Sequence, residues 1–169
     1  MEKRGQAYLV SAIILVAIIL SIVAVANYSE KNESEDIISL KEELKIESAK
    51  VLDYGINNSL SQPQMNQNLI DFTQIYLDTE SRDKDIYFVF GDQSNITLKG
   101  YQNSAHSVSL DDVSVASSSG EFLGSVDPSG SSVTLNIDSN AYVFSLSNGE
   151  NFYFIISREI GGNNYVVAG

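Results

Sequence analysis

The hydrophobic rhythm of the chain changes along its length. Ala7 to Ala26 is an unbroken apolar run of twenty residues: twelve Leu, Ile and Val, five Ala, Tyr8, and the small polar Ser11 and Ser21. As a helix it spans about 30 Å, one hydrocarbon core. Its central Leu, Ile and Val side chains together contribute about −4 to −7 kcal/mol to insertion. From residue 29 the period becomes helical and amphipathic. Ile37, Leu40, Leu44 and Val51 recur on one face, with Ile38, Ile56 and Leu60 nearby, and Lys41, Glu42, Glu43, Lys45, Glu47 and Lys50 fill the other. Ser34 is placed to cap this segment, with Glu35 and Asp36 in its first turn. Asn57-Asn58 and Pro63 end it. Unbroken from residue 7 to about 58, such a helix would be roughly 80 Å long.

Pro63 is suited to open a second helix, on which Met65, Leu69, Phe72 and Tyr76 form one stripe. We read the stripe as core packing and Asp78 to Asp85 as a charged connecting loop. From Asp85 the period is two. Ile86-Tyr87-Phe88-Val89-Phe90 reads as a central strand because it is almost wholly apolar. Strands are expected at Ile96–Gly100, at Val108–Val115 with Asp111-Asp112 as a bulge, and at Glu121–Val126, Val133–Ile137, Tyr142–Leu146, Phe152–Ser157 and Tyr165–Val167. Ser119-Gly120, Asp127-Pro128-Ser129-Gly130, Ser147-Asn148-Gly149 and Gly161-Gly162 are turn signals, and Ser145–Asn151 is the strongest hairpin signal. The expected fold class is α+β. A long hydrophobic-then-amphipathic N-terminal helix and a second short helix precede an antiparallel sheet or small sandwich, whose buried face the amphipathic helix would cover.

Charge sets the orientation. The chain carries 22 acidic and 10 basic residues, a net charge of −12. Setting aside Glu2, Lys3 and Arg4 leaves 21 acidic and 8 basic residues beyond the apolar run. Lys3 and Arg4 are expected to stay cytoplasmic, which places the acidic bulk outside. The acidic balance argues against a nucleic-acid partner, which needs clustered Lys and Arg. Sequons at Asn27, Asn32, Asn57 and Asn95 agree with an outside location. Asn95, in a turn between two strands, is the best glycosylation candidate, followed by Asn57 and Asn32; Asn27 sits close to the membrane.

Lys3-Arg4-Gly5-Gln6, followed at once by a long apolar helix, resembles the class III signal peptide of type IV pilin-like proteins, especially the archaeal ones. The resemblance covers roughly the first 28 residues. It implies a prepilin peptidase that cuts between Gly5 and Gln6, and an apolar helix that anchors the mature protein in membrane lipid and then forms a filament core with identical or related subunits. Val10 holds the fifth mature position, where many type IV pilins carry glutamate; archaellins and some minor pilins lack it too. The implied organisation is a cytoplasmic leader at 1–5, a transmembrane or filament-core helix at 6–28, a helical stalk and second helix at 29–84, and a β-rich extracellular head at 85–169. Helix-on-sheet is also the architecture the resemblance implies. Ala7, Ser11, Ala12, Ala17, Ser21 and Ala24 are small enough for close helix packing. The alternative is a single-pass or secreted extracellular binding domain without a filament role, and Ala24-Val25-Ala26 provides a secretory cleavage site before Asn27.

No catalytic constellation stands out, and we expect neither an enzyme nor a cofactor. His106 is the only histidine and reads as an exposed loop residue near Asp111 and Asp112. No serine sits in a nucleophile-elbow pattern. Without cysteine and with one histidine a zinc site is out of reach, and no metal site is expected. Asp83 with Asp85, Asp111 with Asp112, and Asp127 with Ser129 supply oxygen pairs but not a calcium-loop spacing. The strand aromatics read as cross-strand packing; the alternative is an exposed Tyr142–Tyr153 pair able to bind glycans or partner subunits.

Overall fold

A computed structural model describes residues 36–160 and 162–169. Residues 1–35 lie outside the described residues, and with them the leader charges, the Gly5–Gln6 cleavage site, the small packing residues, Asn32 and the apolar run.

Helix α1 covers 36–57. Its stripe behaves as the spacing predicts: Ile37, Leu40 and Leu44 are buried, Val51 is partly buried, and Ile38 and Ile56 are exposed. Ser59 ends the segment in a left-handed conformation (φ +51°), and the Leu60 N–H returns to the Gly55 carbonyl at 3.0 Å. Helix α2, Gln62–Glu80, starts one residue before Pro63. Gln64 reaches back to the N-cap, its Oε1 accepting from the Ser61 N–H (3.0 Å) and hydroxyl (2.8 Å). Met65, Leu69 and Tyr76 are buried and Phe72 packs beside them, so the stripe is core. The helix runs further than the expected loop at Asp78 allows. Buried Leu77 holds its last turn against the core, and Ser81–Asp83 adds a 3-10 turn before the sheet.

Nine strands follow among the described residues: β1 Asp85–Gly91, β2 Ile96–Gln102, β3 Val108–Leu110, β4 Val113–Ala116, β5 Gly120–Val126, β6 Ser132–Ile137, β7 Asn140–Ser145, β8 Asn151–Ile160 and β9 Asn163–Ala168. They form two antiparallel sheets, one of five strands ordered β5-β2-β1-β8-β9 and one of four ordered β4-β3-β6-β7. The fold is thus α+β, with helices on one face of the larger sheet and the smaller sheet on the other. Because successive strand residues point to opposite faces, β1 serves two cores. Ile86, Phe88 and Phe90 join Phe154 and Ile156 of β8 under the helices. Tyr87 and Val89 join Leu98, Val108, Val133, Leu135 and Ile155 between the sheets. Burial on both faces explains why β1 lacks alternation.

The structure corrects two readings and decides one alternative. Asp111-Asp112 is a hairpin turn between β3 and β4, pairing Leu110 with Val113 around Asp111 at φ +50°; the register shift lies instead at Val108/Ser109. Ser145–Asn151 is not a hairpin. It carries the chain from the small sheet to the large one, because β7 pairs only with β6 and β8 pairs with β1 and β9. Tyr142 and Tyr153 are not an exposed pair: Tyr153 stacks on Phe144 (centroids 4.8 Å apart), and both tyrosines pack at the edge of the inter-sheet core. The polar face of β2 is also covered. Thr97 meets Asn66 of α2 at 3.3 Å, and Lys99 donates to the Ile70 carbonyl at 3.0 Å. Burial pushes the Lys99 ammonium pKa down, while Glu121, Asp71 and Asp78 oppose that shift.

Candidate functional site

His106 does not sit beside Asp111 and Asp112. Asp111 lies at the far end of β3, where its carboxylate accepts from the Thr134 N–H (2.8 Å). His106 follows β2, and its backbone N–H is held by Gln102 Oε1 at 2.7 Å. This turns the imidazole toward the rim of the sandwich, between two carboxylates brought by other elements. Nδ1 lies 2.7 Å from Asp138 in the β6–β7 turn, and Nε2 lies 3.4 Å from Asp85 at the start of β1. The side chain is only about 30% exposed. Asp85 also accepts from the Asn103 N–H (2.7 Å) and the Ser157 hydroxyl (3.3 Å). Asp138 accepts from the Ser107 N–H (2.8 Å), and that bond first, His106 second, holds its pKa below the usual carboxylate range.

These residues rim a cavity of about 220 Å³ where the two sheets part. Tyr87 is among its lining residues. The Tyr87 side chain is 1% exposed, and its hydroxyl has no hydrogen-bond partner. Such an unmet buried group costs about 1–3 kcal/mol. Burial, followed by the charges of Asp85 and Asp138, pushes its pKa up, so the phenol stays protonated and able to donate. Tyr142, Asn140, Ser157 and Asn164 add polar groups to the lining, and Ile137, Ile155 and Val166 lie among them as apolar ones.

A serine-protease type of arrangement is not built here. Ser157 bonds Asp85, while both ring nitrogens of His106 face carboxylates. Among the described residues no three His, Cys, Asp or Glu side chains are grouped to hold a metal ion. Asp83, one of the oxygen pair with Asp85, is ion-paired to Lys84 (3.6 Å) and to Arg158. Asp127 is used by Asn95, whose amide donates to it at 3.1 Å. Asn95 does lie in the β1–β2 turn, but its amide nitrogen is thus engaged, whereas Asn57 at the end of α1 is exposed.

His106 stands out in the sequence only as the single histidine and reads there as an exposed loop residue; its partners are not anticipated. Asp138 and Asp85 lie 32 and 21 positions away from it, in opposite sheets, and only the strand pairing brings them together. The available signal was the inward parity of Asp85 and Tyr87 on β1, two polar-tipped residues on the same face as Val89.

Comparison of the chain with known protein families, with curated proteins and with solved structures finds no match.

Proposed function

We propose that this chain is a type IV pilin-like cell-surface protein. Its N-terminal helix anchors it in the membrane and provides the means of assembly into a filament, and an acidic helix-and-sandwich head faces outward. The observation that carries the reading is the twenty-residue apolar run directly behind Lys3-Arg4-Gly5-Gln6. Among the described residues no helix is long and apolar enough to cross a membrane, so the anchor falls to that run. The head lends support in two ways. The stripe of α1 lies on an antiparallel sheet, the arrangement the resemblance implies. The opposite side of α1 keeps Ile38, Ile46, Tyr54 and Ile56 more than half exposed, apolar surface that neighbouring subunits would cover. The proposed role is non-catalytic. The second reading, an anchored or secreted binding domain, is favoured by the cavity beneath His106.

The test is the mature N-terminus of protein from its native host, read by mass spectrometry, with Gly5→Val alongside. A start at Gln6, lost in the variant, supports class III processing. A start at Asn27 identifies a secreted domain and overturns the pilin-like reading. An intact Met1 overturns the processing and leaves the anchored binding domain. Ile18→Lys is expected to release the protein from membranes; its retention there would overturn the anchor.

A further inference from the structure

We propose that the cavity between Tyr87, His106 and Asn164 is a binding site for a neutral, hydroxyl-rich ligand the size of one sugar ring. The inference does not rest on the anchor or on filament assembly. Its volume of about 220 Å³ holds about seven water molecules' share of liquid, and lies below the usual range for drug-sized ligands. Among the lining residues, Tyr87 carries a buried hydroxyl with no hydrogen-bond partner. Five strands and a loop converge on it from both sheets, so the lining is held by the fold and not by one mobile segment.

The charge pattern selects the ligand class. No Lys or Arg lines the cavity, and two carboxylates do, so an anion is repelled. An ammonium would have to compete with protein donors for both carboxylates: Asp138 already accepts from the Ser107 N–H and lies 2.7 Å from His106 Nδ1, and Asp85 accepts from the Asn103 N–H and the Ser157 hydroxyl. The remaining groups are neutral: the phenols of Tyr87 and Tyr142 and the exposed amides of Asn140 and Asn164. Amides and phenols both donate and accept, which matches vicinal hydroxyls. Ile155, Val166 and Ile137 alternate with these groups, paired across strands with Tyr87, Ser157 and Asn140, and offer apolar contact to the C–H groups of a pyranose. A ligand that carries both hydroxyls and C–H groups suits this mixed lining, and one of its hydroxyls gives Tyr87 a partner.

The experiment uses the full chain in a non-glycosidic detergent and saturation-transfer NMR. The probes are common neutral monosaccharides and their methyl glycosides at millimolar concentration, with methylammonium chloride as the charged counterpart. We expect transfer to at least one sugar. Affinity should fall about tenfold or more in Tyr87→Phe, which removes one buried hydrogen bond, and stay unchanged in Leu123→Ser on the far edge strand. Binding of the methyl glycoside identifies a glycan terminus as the source; binding of the free sugar alone identifies a soluble sugar. Absence of transfer to every sugar, binding of methylammonium in their place, or sugar binding indifferent to Tyr87→Phe would each overturn the proposal.

Discussion

Strand β1 meets acidic side chains at both of its ends, and the two ends are finished differently. At the Gly91 end the backbone turns with φ +132°, and a Cβ there would collide with the Asn95 carbonyl, so only glycine fits. Asp92 then ties the turn together: its Oδ1 accepts from the Ser94 hydroxyl (2.6 Å), the Ser94 N–H (2.8 Å) and the Asn95 N–H (3.1 Å). Opposite it, buried Asn151 donates to the carbonyls of Gly91, Ser147 and Gly149 and accepts from the Ser147 N–H. That end is plugged by protein. At the Asp85 end a histidine clamps two carboxylates at the rim, and behind them a cavity leaves the Tyr87 hydroxyl unmet. The same strand, the same sheet and the same acidic chemistry therefore yield a closed corner and an open one. The difference lies in whether a neighbouring turn folds its own backbone into the gap. The 147–150 crossover does so at one end; at the other the loop after β2 reaches only the rim, donating the Asn103 N–H to Asp85, and the cavity behind it stays open.

The largest effect is expected where the plug is removed. Asn151→Ala deletes the side chain that meets three carbonyls and one N–H in a buried corner. At about 1 kcal/mol net per bond, and more for groups left buried without partners, the loss is about 2–4 kcal/mol. Chemical denaturation of the full chain with and without the substitution measures it. A loss under about 1 kcal/mol would mean that water takes over the corner, and the two ends would then differ less than the side chains suggest.

A smaller effect, with a pH signature, belongs to the next residue. Glu150 has one carboxylate oxygen buried without a partner, and burial, then the charge of Asp92, raises its pKa from 4.5 to about 7. The folded protein therefore holds a proton that the unfolded chain releases between those values. Stability is full below about 4.5 and declines as pH rises through about 7. Asp92 works the other way: burial opposes its ionisation, but the Ser94 and Asn95 bonds outweigh that and lower its pKa, so it is already charged where Glu150 titrates. Solvent screening of the half-buried Glu150 leaves a decline of about 1–2 kcal/mol. Glu150→Gln should flatten this slope and be the more stable form at pH 8. An unchanged slope in urea titrations at pH 5 and pH 8 would assign the effect to another group.

How much of this was legible follows from which interactions are local. The α1 and α2 stripes, the turn at Asn57-Asn58 and the all-apolar β1 were readable because periodicity and punctuation act within a few residues. The Ser147-Asn148-Gly149 signal gave a turn but not its partner strand. A turn sequence fixes how the chain bends; which sheet the next strand joins depends on Phe152 and Phe154 packing under the helices. The bulge reading of Asp111-Asp112 failed for a related reason: two aspartates within an alternating segment suit an insertion or a turn alike, and only the Leu110–Val113 pairing decides. The cavity was the least legible feature. Its residues come from β1, β6, β7, β8, β9 and the loop after β2, and in sequence they are scattered polar residues among strands. His106 was visible only by being unique.

The smallest effect is the one that bears most directly on the open end. Tyr87→Phe keeps the ring and its contact with Phe122, whose centroid lies 6.0 Å away, and removes only the unpartnered hydroxyl. In an ordinary buried tyrosine this substitution costs about 0.5–1.5 kcal/mol, the net worth of the lost bond. Here there is no protein bond to lose, so the expected change lies between zero and about 1 kcal/mol of stabilisation, from relief of an unmet desolvation cost. The sign is the informative quantity. A neutral or positive change beside the large loss in Asn151→Ala would establish that one end of β1 is held by its polar groups while the other keeps its polar group in reserve. A loss of more than about 1 kcal/mol in thermal or urea unfolding would mean that the hydroxyl already has a partner the fold requires, such as a bound water, and the contrast between a closed and an open corner would fall.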